Sequence, residues 1–262
     1  MSRVSELTEL DPVVDRPRLS VVVPAYGEEG RIAGTIAALR DALGADTEIV
    51  VVDDGSIDNT AAAAEAAKAD VVIRIPDNRG KGAAVRAGML AAHGDVLVFT
   101  DADLSYPPAQ IELLRTELER GTDVVVGSRR HIGTRTLVRA GRLRELSGRV
   151  FNVFTRLVLP QKFGDTQCGL KAFRSDVAKV IFGHSRIDGF AFDVEVFHLV
   201  EAYQLSLSEV PVRVVNSSRS TVHVVWDALR TIRDLFLVRS WARRGGYDLA
   251  PDEVPLVART PD

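Results

Sequence analysis

The chain has 262 residues, of which 46% are hydrophobic and 26% are charged, and its formal net charge is −3. This length and apolar content predict one globular domain with a well-filled core and argue against a string of small modules. A slightly negative charge is not typical of general nucleic-acid binding, so no nucleic-acid partner is expected. Cys168 is the single cysteine, which excludes an internal disulfide framework and favours a reducing, cytoplasmic setting.

The two ends of the chain differ in composition from its middle. Residues 1–17 are acidic and contain Pro12 and Pro17, unlike a secretory signal peptide. No apolar stretch approaches the roughly 20 residues that a membrane-spanning helix needs. We therefore expect a flexible N-terminal tail over 1–17, a single domain over 18–245 and a flexible C-terminal tail over 246–262.

Short β-branched runs alternate with longer alanine-rich stretches from residue 19 onward. The predicted strands are 19–23, 48–52, 71–75, 96–99 and 124–126, and the predicted helices are 28–43, 58–69, 82–92 and 108–120. Connections of about ten residues or more suit parallel strands and not hairpins. The pattern predicts an α/β fold with a doubly wound, mostly parallel sheet and helices on both faces.

The rhythm changes after Gly127. A basic helical stretch at 137–159, a polar loop at 162–167 and a short segment at 169–173 are followed by a helix at 192–203, a strand at 207–214 and a helix at 222–244. Eight arginines lie between Arg129 and Arg156, with Glu145 as the only acid among them. This uneven charge predicts an anionic partner for the second half of the chain.

Acidic side chains follow three predicted strands at their carboxyl ends, where open α/β sheets bind ligands. Asp101 and Asp103 follow the fourth strand, Asp53 follows the second and Glu28 follows the first. Two carboxylates at a strand end can hold Mg²⁺ or Mn²⁺ against a diphosphate. A solvated turn is the alternative for Asp101-Ala102-Asp103 taken alone, but it does not explain acids at three strand ends.

Two further features of these loops suit a nucleotide. An aromatic ring beside carboxylates, as in Tyr26 with Glu28 and Asp53, can stack on a base while the acids bind the base or ribose. The alternative for 53–56 is a turn that caps the next helix. Lys81, between two glycines at a helix start, could face a diphosphate although the Walker A spacing is absent; a tight turn is its alternative.

Four motifs carry a family resemblance. They are VVPAY at 22–26, VVDDGS at 51–56, NRGKG at 78–82 and FTDAD at 99–103. Their order and spacing resemble the family 2 inverting glycosyltransferases, nucleotide-sugar enzymes with the A-type fold. Later segments at 127–129, 147–152 and 165–171 are similar to polyprenyl-phosphate sugar transferases, and 165–169 with 193–195 is most similar to the dolichyl-phosphate glucosyltransferase branch.

The resemblance implies metal-dependent, inverting transfer of glucose from UDP-glucose to a polyprenyl monophosphate, in a donor half at 18–128 and an acceptor half at 129–245. It implies donor binding by Pro24, Tyr26, Glu28, Asp53, Gly55, Lys81, Asp101 and Ala102, with Asp101 and Asp103 as ligands of Mg²⁺ or Mn²⁺ and Asp103 and Arg129 as catalytic residues. The acceptor phosphate would be bound by Arg129, Arg144, Arg149 and Arg219, the last of which stands where the family often has a lysine. Asp165, Gln167, Asp193 and Glu195 would contact the sugar hydroxyls or orient the arginines.

Several alternatives remain open from the sequence. GDP-mannose could replace UDP-glucose, and a soluble hydroxyl acceptor would require one of Asp165, Asp193 or Glu195 as a general base. A catalytically silent nucleotide-sugar-binding protein is a further possibility, against which the Asp101 and Asp103 pair argues. The helix at 222–244 suits peripheral contact with the cytoplasmic face of a membrane, core packing, or the interface of a homo-oligomer.

Overall fold

The protein is described here by a computed structural model, which covers residues 18–136, 164–215 and 224–257. Its main sheet has seven strands in the order β3-β2-β1-β4-β7-β5-β8. These strands are β1 Leu19–Ala25, β2 Glu48–Asp54, β3 Val71–Ile75, β4 Val96–Thr100, β5 Val124–Ser128, β7 Leu170–Arg174 and β8 Leu207–Pro211. A second, two-stranded parallel sheet pairs β6 Arg135–Thr136 with β9 Arg213–Val214.

The strand pairings confirm the mostly parallel sheet. β1 runs parallel to β2 and β4, β2 runs parallel to β3, and β5 runs parallel to β8. β7 is the exception, because it lies between β4 and β5 and runs antiparallel to both. The sequence predicted only a short segment at 169–173, and nothing local in it showed that this segment enters the middle of the sheet.

Helices cover both faces of the sheet, as predicted. They are α1 Ile32–Leu43, α2 Thr60–Ala66, α3 Lys81–Ala91, α4 Ile111–Glu119 after a 3₁₀ turn at Pro108–Gln110, α5 Ser175–His184, α6 Phe192–Ala202, α7 Val224–Arg243 and α8 Val254–Val257. The side chains of β2 are buried along its whole length, as a strand covered on both faces requires. One face packs against α3, α5 and α6, and the other packs against α1 and α4.

Helix α5 was missed from the sequence. Its buried residues Val177, Val180 and Ile181 have the i, i+3, i+4 spacing of an amphipathic helix, which was the available signal. The β-branched character of the same residues also suits a strand, so short apolar runs of this kind are ambiguous.

Part of the segment 246–257, which was expected to belong to a flexible tail, lies against the core in the structure. Tyr247 is buried, and its hydroxyl donates to Glu195 Oε1 at 2.6 Å. Tyr203 in turn donates its hydroxyl to the Tyr247 carbonyl at 2.9 Å, and Leu249 and Val257 pack against the core. One buried aromatic anchors a segment whose acidic, proline-containing composition resembles that of a disordered chain. Residues 1–17 and 258–262 lie outside the described residues.

Within the described part of the chain, none of the helices combines the length and the apolarity needed to cross a bilayer. Three predicted acceptor-binding arginines, Arg144, Arg149 and Arg219, lie outside the described residues, so their roles stay predictions. The division into a donor half and an acceptor half at residue 128 is likewise a prediction.

We expect Tyr247→Phe to lower the free energy of unfolding by about 1.5 to 3 kcal/mol at pH 7, because it removes a hydrogen bond to a buried carboxylate. Burial raises the pKa of Glu195, and the Tyr247 hydroxyl opposes that rise. The variant therefore raises this pKa further. Stability linked to a raised carboxyl pKa is present at low pH and is lost as the pH rises through that pKa, so the deficit of the variant should shrink toward acid pH.

Urea unfolding followed by circular dichroism at pH 7 and pH 5 measures both effects. Tyr203→Phe is the matched control, because its hydroxyl binds a neutral carbonyl and its loss should cost about 1 kcal/mol at either pH. A Tyr247→Phe deficit that does not change with pH would contradict a charge-assisted bond to Glu195.

Candidate functional site

The carboxyl ends of β1, β2 and β4 lie side by side because these strands are parallel neighbours. Side chains then tie the three loops together. The amide of Gly27 donates to Ser56 Oγ at 3.0 Å and the amide of Glu28 donates to Thr60 Oγ1 at 2.8 Å. Thr35 Oγ1 donates to the Ala102 carbonyl at 2.6 Å. The structure therefore brings the predicted strand-end residues to one edge of the sheet.

The loop after β1 offers an aromatic ring and an acid. Tyr26 is 47% exposed, so its ring is accessible to a planar ligand, and Pro24 precedes it within β1. The Glu28 carboxylate pairs with Arg31 at 2.6 Å. Burial raises the pKa of Glu28, Arg31 opposes that rise, and the nearby charge of Asp103 adds to it. Glu28 and Asp103 therefore share one electrostatic environment.

The loop after β2 contains two acids with different partners. Asp53 is buried and its Oδ1 accepts the amide of Ser56 at 3.0 Å, so the turn interpretation holds for this contact. Asp54 accepts the amides of Arg79 and Gly80 at 3.0 Å and 2.7 Å. Asp54, which the sequence analysis did not select, thus holds the loop that presents Lys81. Its signal was its place beside Asp53.

Gly55 joins these same two loops. Its φ is +72°, and a Cβ at this position would lie 2.5 Å from the amide nitrogen of Asn78. Both the left-handed backbone and the close approach require glycine. Gly55 therefore allows the 78–80 loop to lie close to the loop after β2.

The loop after β4 carries the predicted metal ligands. Asp101 Oδ1 accepts from Lys81 Nζ at 2.5 Å, while Asp103 accepts from the amide and the hydroxyl of Ser105 at 2.9 Å and 2.8 Å. Leu104, between Asp103 and Ser105, has a φ of +47°, a conformation that is uncommon for a residue other than glycine. The hydrogen bonds from Ser105 to Asp103 therefore hold the backbone turn at residues 103–105. Uncommon backbone conformations of this kind persist where surrounding contacts stabilise them, often at functional sites.

Asp101 and Asp103 fit the chemistry of Mg²⁺ or Mn²⁺. Both supply hard oxygen atoms, and such cations are often held by one or two carboxylates together with substrate phosphates and water. Among the described residues no cluster of three or more acidic, histidine or cysteine side chains forms a cation site by itself. These two residues would therefore hold a metal together with a ligand that brings its own oxygen atoms.

Gly169 forms a wall against Asp101. A Cβ added to Gly169 would lie 2.0 Å from Asp101 Oδ2, so no larger residue fits without moving the carboxylate. Gly169 is next to the start of β7, and the antiparallel pairing of β7 with β4 places it there. Gly169 lies in the segment 165–171, which carries part of the family resemblance, but it was not among the predicted site residues.

Lys81 and Asp193 lie beneath the same edge. Burial lowers the pKa of Lys81, but the charges of Asp101, Asp193 and Asp103 outweigh it, so that the pKa is raised and the ammonium stays charged. Asp193, in the first turn of α6, is buried and accepts from Lys171 Nζ at 2.6 Å. Burial raises the pKa of Asp193, and the charges of Lys171 and Lys81 oppose that rise. Asp193 therefore shares the electrostatic environment of Lys81.

Glu195 is placed differently. Its side chain is fully buried, and its oxygens accept the amides of Arg186 and Ile187 at 2.8 to 2.9 Å and the hydroxyl of Tyr247. These contacts connect the 185–187 segment to the C-terminal segment. They give Glu195 a structural role, and its contact with a sugar stays a prediction.

Arg129 and Asp165 form a bidentate ion pair at the end of β5. Arg129 Nε and Nη2 lie 2.6 Å and 2.8 Å from the two Asp165 oxygens, and the Arg129 amide also donates to Asp165. Asp165 is buried and further accepts the amide of Gln167 at 3.2 Å. Burial acts to raise the pKa of Asp165, but Arg129 outweighs it and the pKa is lowered. The Arg129 side chain is still 43% exposed, so part of the guanidinium can meet an anion.

Cys168 belongs to the segment between Asp165 and Gly169, and its thiol is unreactive. It is fully buried, and burial raises the pKa of its thiol to about 11. The thiolate is the reactive form of cysteine, so this thiol does not act as a nucleophile near neutral pH.

The chain is similar to known proteins in sequence and in fold. The family model described as Glycosyl transferase family 2 matches residues 20–182. The dolichyl-phosphate beta-glucosyltransferase of Drosophila melanogaster is 34% identical over 245 residues, which cover 86% of this chain and 74% of that protein. The protein of the same name from Saccharomyces cerevisiae is 31% identical, over 84% of this chain and 74% of its own length.

Among solved structures, glucosyl-3-phosphoglycerate synthase from Mycobacterium tuberculosis, in complex with Mn²⁺, UDP and glucosyl-3-phosphoglycerate, is similar in fold. The TM-score is 0.63 at 24% identity, covering 86% of this chain and 80% of that one. This likeness concerns the fold, and together with the family match it confirms the A-type fold expected from the sequence.

We expect Gly169→Ala to displace the Asp101 carboxylate, because the added methyl group would overlap it. Overpacking of this kind typically costs about 1 to 3 kcal/mol, and calorimetric titration with Mn²⁺ and UDP should show weaker binding. Gly183→Ala is the control, since a Cβ there meets nothing within 4 Å and alanine favours a helix. Unchanged binding in a folded Gly169→Ala variant would contradict the contact.

Proposed function

Because this chain belongs to glycosyl transferase family 2, we propose that it transfers glucose, with inversion, from UDP-glucose to a polyprenyl monophosphate of the dolichyl type. The observation that carries the proposal is the five-residue segment 165–169. Asp165 at one end holds Arg129, and Gly169 at the other end contacts Asp101. One short segment thus joins a group suited to an acceptor phosphate to a group suited to a donor diphosphate.

The donor side is assembled from the three strand-end loops. Tyr26, Glu28 and Asp53 would bind the base and ribose, and Lys81 would face the diphosphate. Mg²⁺ or Mn²⁺ held by Asp101 and Asp103 would supply positive charge to the leaving diphosphate. The relatives named dolichyl-phosphate beta-glucosyltransferase support glucose as the sugar, and the Mn²⁺ and UDP bound to the structural neighbour are consistent with this donor.

The acceptor side has a feature that favours a phosphate over a hydroxyl group. A phosphate monoester, with a second pKa of about 6, is largely dianionic at neutral pH and needs no general base to attack. The three acids that could deprotonate a hydroxyl are all engaged by protein groups: Asp165 by Arg129, Asp193 by Lys171, and Glu195 by amides and Tyr247. Arg129, oriented by Asp165, would bind the phosphate and place it in line with the anomeric carbon.

We further propose that the protein works at the cytoplasmic face of a membrane, where a polyprenyl phosphate would reside. Helix α7 packs Leu235 and Val238 into the core and exposes 62% of Phe236. Phe236 lines a cavity of about 330 Å³ with Arg239, Ser240, Arg243 and Arg244. A basic helix face with an exposed aromatic side chain suits an anionic lipid surface. Self-association through the same face is the competing use.

The donor is tested by incubating purified protein with polyprenyl phosphate, MnCl₂ and either radiolabelled UDP-glucose or radiolabelled GDP-mannose. We expect label in the organic phase only with UDP-glucose. If label enters the lipid only from GDP-mannose, the donor is GDP-mannose and not UDP-glucose. If label appears in an aqueous product, the acceptor is a soluble molecule and not a polyprenyl phosphate.

Asp101→Ala and Asp103→Ala should each lower kcat by about a hundredfold or more, since each removes charge that stabilises the departing diphosphate. Asp46→Ala, an acid in an exposed turn, is the control and should keep full activity. Dependence of the wild-type rate on added Mn²⁺ after chelation completes the test. Full turnover in either site variant would refute the proposed metal role.

Arg129→Lys should raise the KM for polyprenyl phosphate by about tenfold or more, because lysine cannot reproduce the bidentate fork that Asp165 orients. The affinity for UDP-glucose should change little. Arg130→Lys is the neighbouring control, since Arg130 is exposed and contacts only a carbonyl at 3.2 Å among the described groups. An unchanged KM for polyprenyl phosphate in Arg129→Lys would remove this arginine from acceptor binding.

A further inference from the structure

Lys171 is a charged residue at the centre of the sheet, and it has no part in the proposed reaction. It lies in the central strand β7, between Phe99 of β4 and Val126 of β5, and its side chain is fully buried. Its ammonium lies 5.2 Å from the ring centre of Phe99 and 5.8 Å from that of Phe197. A buried ammonium is costly, and an apolar residue of similar length would fill the same space. Its presence therefore calls for a reason other than packing.

Two hydrogen bonds direct this ammonium toward the strand-end carboxylates. Lys171 Nζ donates to the Cys168 carbonyl at 2.7 Å and to Asp193 Oδ1 at 2.6 Å. The first contact anchors the backbone immediately before Gly169, which is the wall against Asp101. The second contact fixes the carboxylate of Asp193 at the start of α6.

Asp193 carries the second route to the same place. Its charge acts on Lys81 as well as on Lys171, and Lys81 pairs with Asp101 at 2.5 Å. Two lysines and two aspartates thus alternate in charge from the core to the sheet edge. Asp101 contacts Gly169, which follows the Cys168 carbonyl held by Lys171. Asp101 also pairs with Lys81, on which the charge of Asp193, the other partner of Lys171, acts.

We propose that Lys171 is a positioning residue for the metal-nucleotide site: from inside the sheet it fixes the carboxylate of Asp193 and holds the Cys168 carbonyl, and through the adjoining Gly169 it sets the position of Asp101. It touches neither substrate nor metal. Groups that orient a ligating carboxylate commonly change metal affinity by about 10- to 100-fold when they are removed. The inference rests on the proposed function only in requiring that this edge binds a metal together with a nucleotide.

Lys171→Met removes the charge and keeps the chain length, and Lys171→Met combined with Asp193→Asn also removes the unpaired buried carboxylate. We expect the single variant to melt at a lower temperature and the double variant to recover most of that loss. Both should bind Mn²⁺ with UDP about tenfold more weakly or worse, measured by calorimetry well below the melting temperature. Where the single variant does not fold, the double variant carries the test.

Lys179→Met is the matched control. Lys179 is another lysine that binds main-chain carbonyls, those of Met89, Leu90 and Ala92, at 2.5 to 3.1 Å, but these contacts lead to the far end of α3. This variant should lose stability without losing affinity for Mn²⁺ and UDP. A folded double variant that binds within about twofold of the wild type, against the 10- to 100-fold expected for an orienting group, would overturn the positioning role.

The outcome is separable from that of the proposed function. A wild-type protein that binds Mn²⁺ and UDP but moves no glucose to lipid would contradict the proposed reaction, while the comparison of variants would still decide the role of Lys171. A wild-type protein that binds Mn²⁺ with neither UDP nor GDP would overturn the positioning role together with the site.

Discussion

Strand β7 hydrogen-bonds to β4 on one side and to β5 on the other, and it runs antiparallel to both. Without this ladder the sheet would consist of two separate parallel parts, β3-β2-β1-β4 and β5-β8. The antiparallel direction brings the segment that precedes β7 to the same edge as the carboxyl ends of β4 and β5. Asp165 then meets Arg129 at the end of β5, and Gly169 meets Asp101 at the end of β4.

The edge that results carries a high density of negative charge, and the structure balances it with cations from several elements. The charge of Asp103 acts on Glu28 and that of Asp101 acts on Asp193. Lys81 offsets the charges of Asp101, Asp103 and Asp193, and Lys171 pairs with Asp193. Each pairing opposes the cost of burying a charge. Asp165 is paired with Arg129 and Asp193 with Lys171, so both carboxylates are already engaged by cations of the protein. The arrangement therefore suits the binding of an anionic ligand by a metal ion and by basic side chains better than it suits the removal of a proton from a substrate.

The glycines of the site act through the close approach of backbone segments. Gly55 lets the β2 loop touch Asn78, and Gly169 lets the β7 segment touch Asp101. Asp54 completes the first of these contacts by accepting two amides of the 78–80 loop. The position of Lys81 thus depends on contacts between loops that are distant in sequence. Its interaction with the charges of Asp101, Asp103 and Asp193 depends on the same contacts.

The sequence by itself determined the alternation of strands and helices, the parallel first half, and the acids at three strand ends. These follow from local periodicity, and parallel strands place their carboxyl ends at one edge whatever their order. Only the tertiary structure decided that β7 lies antiparallel in the middle of the sheet, that Lys171 is the buried partner of Asp193, that Glu195 holds the C-terminal segment, and that Tyr247 keeps residues 246–257 on the core. The physical reason is that each of these depends on pairing between residues far apart in the chain, whose register and burial no local pattern encodes.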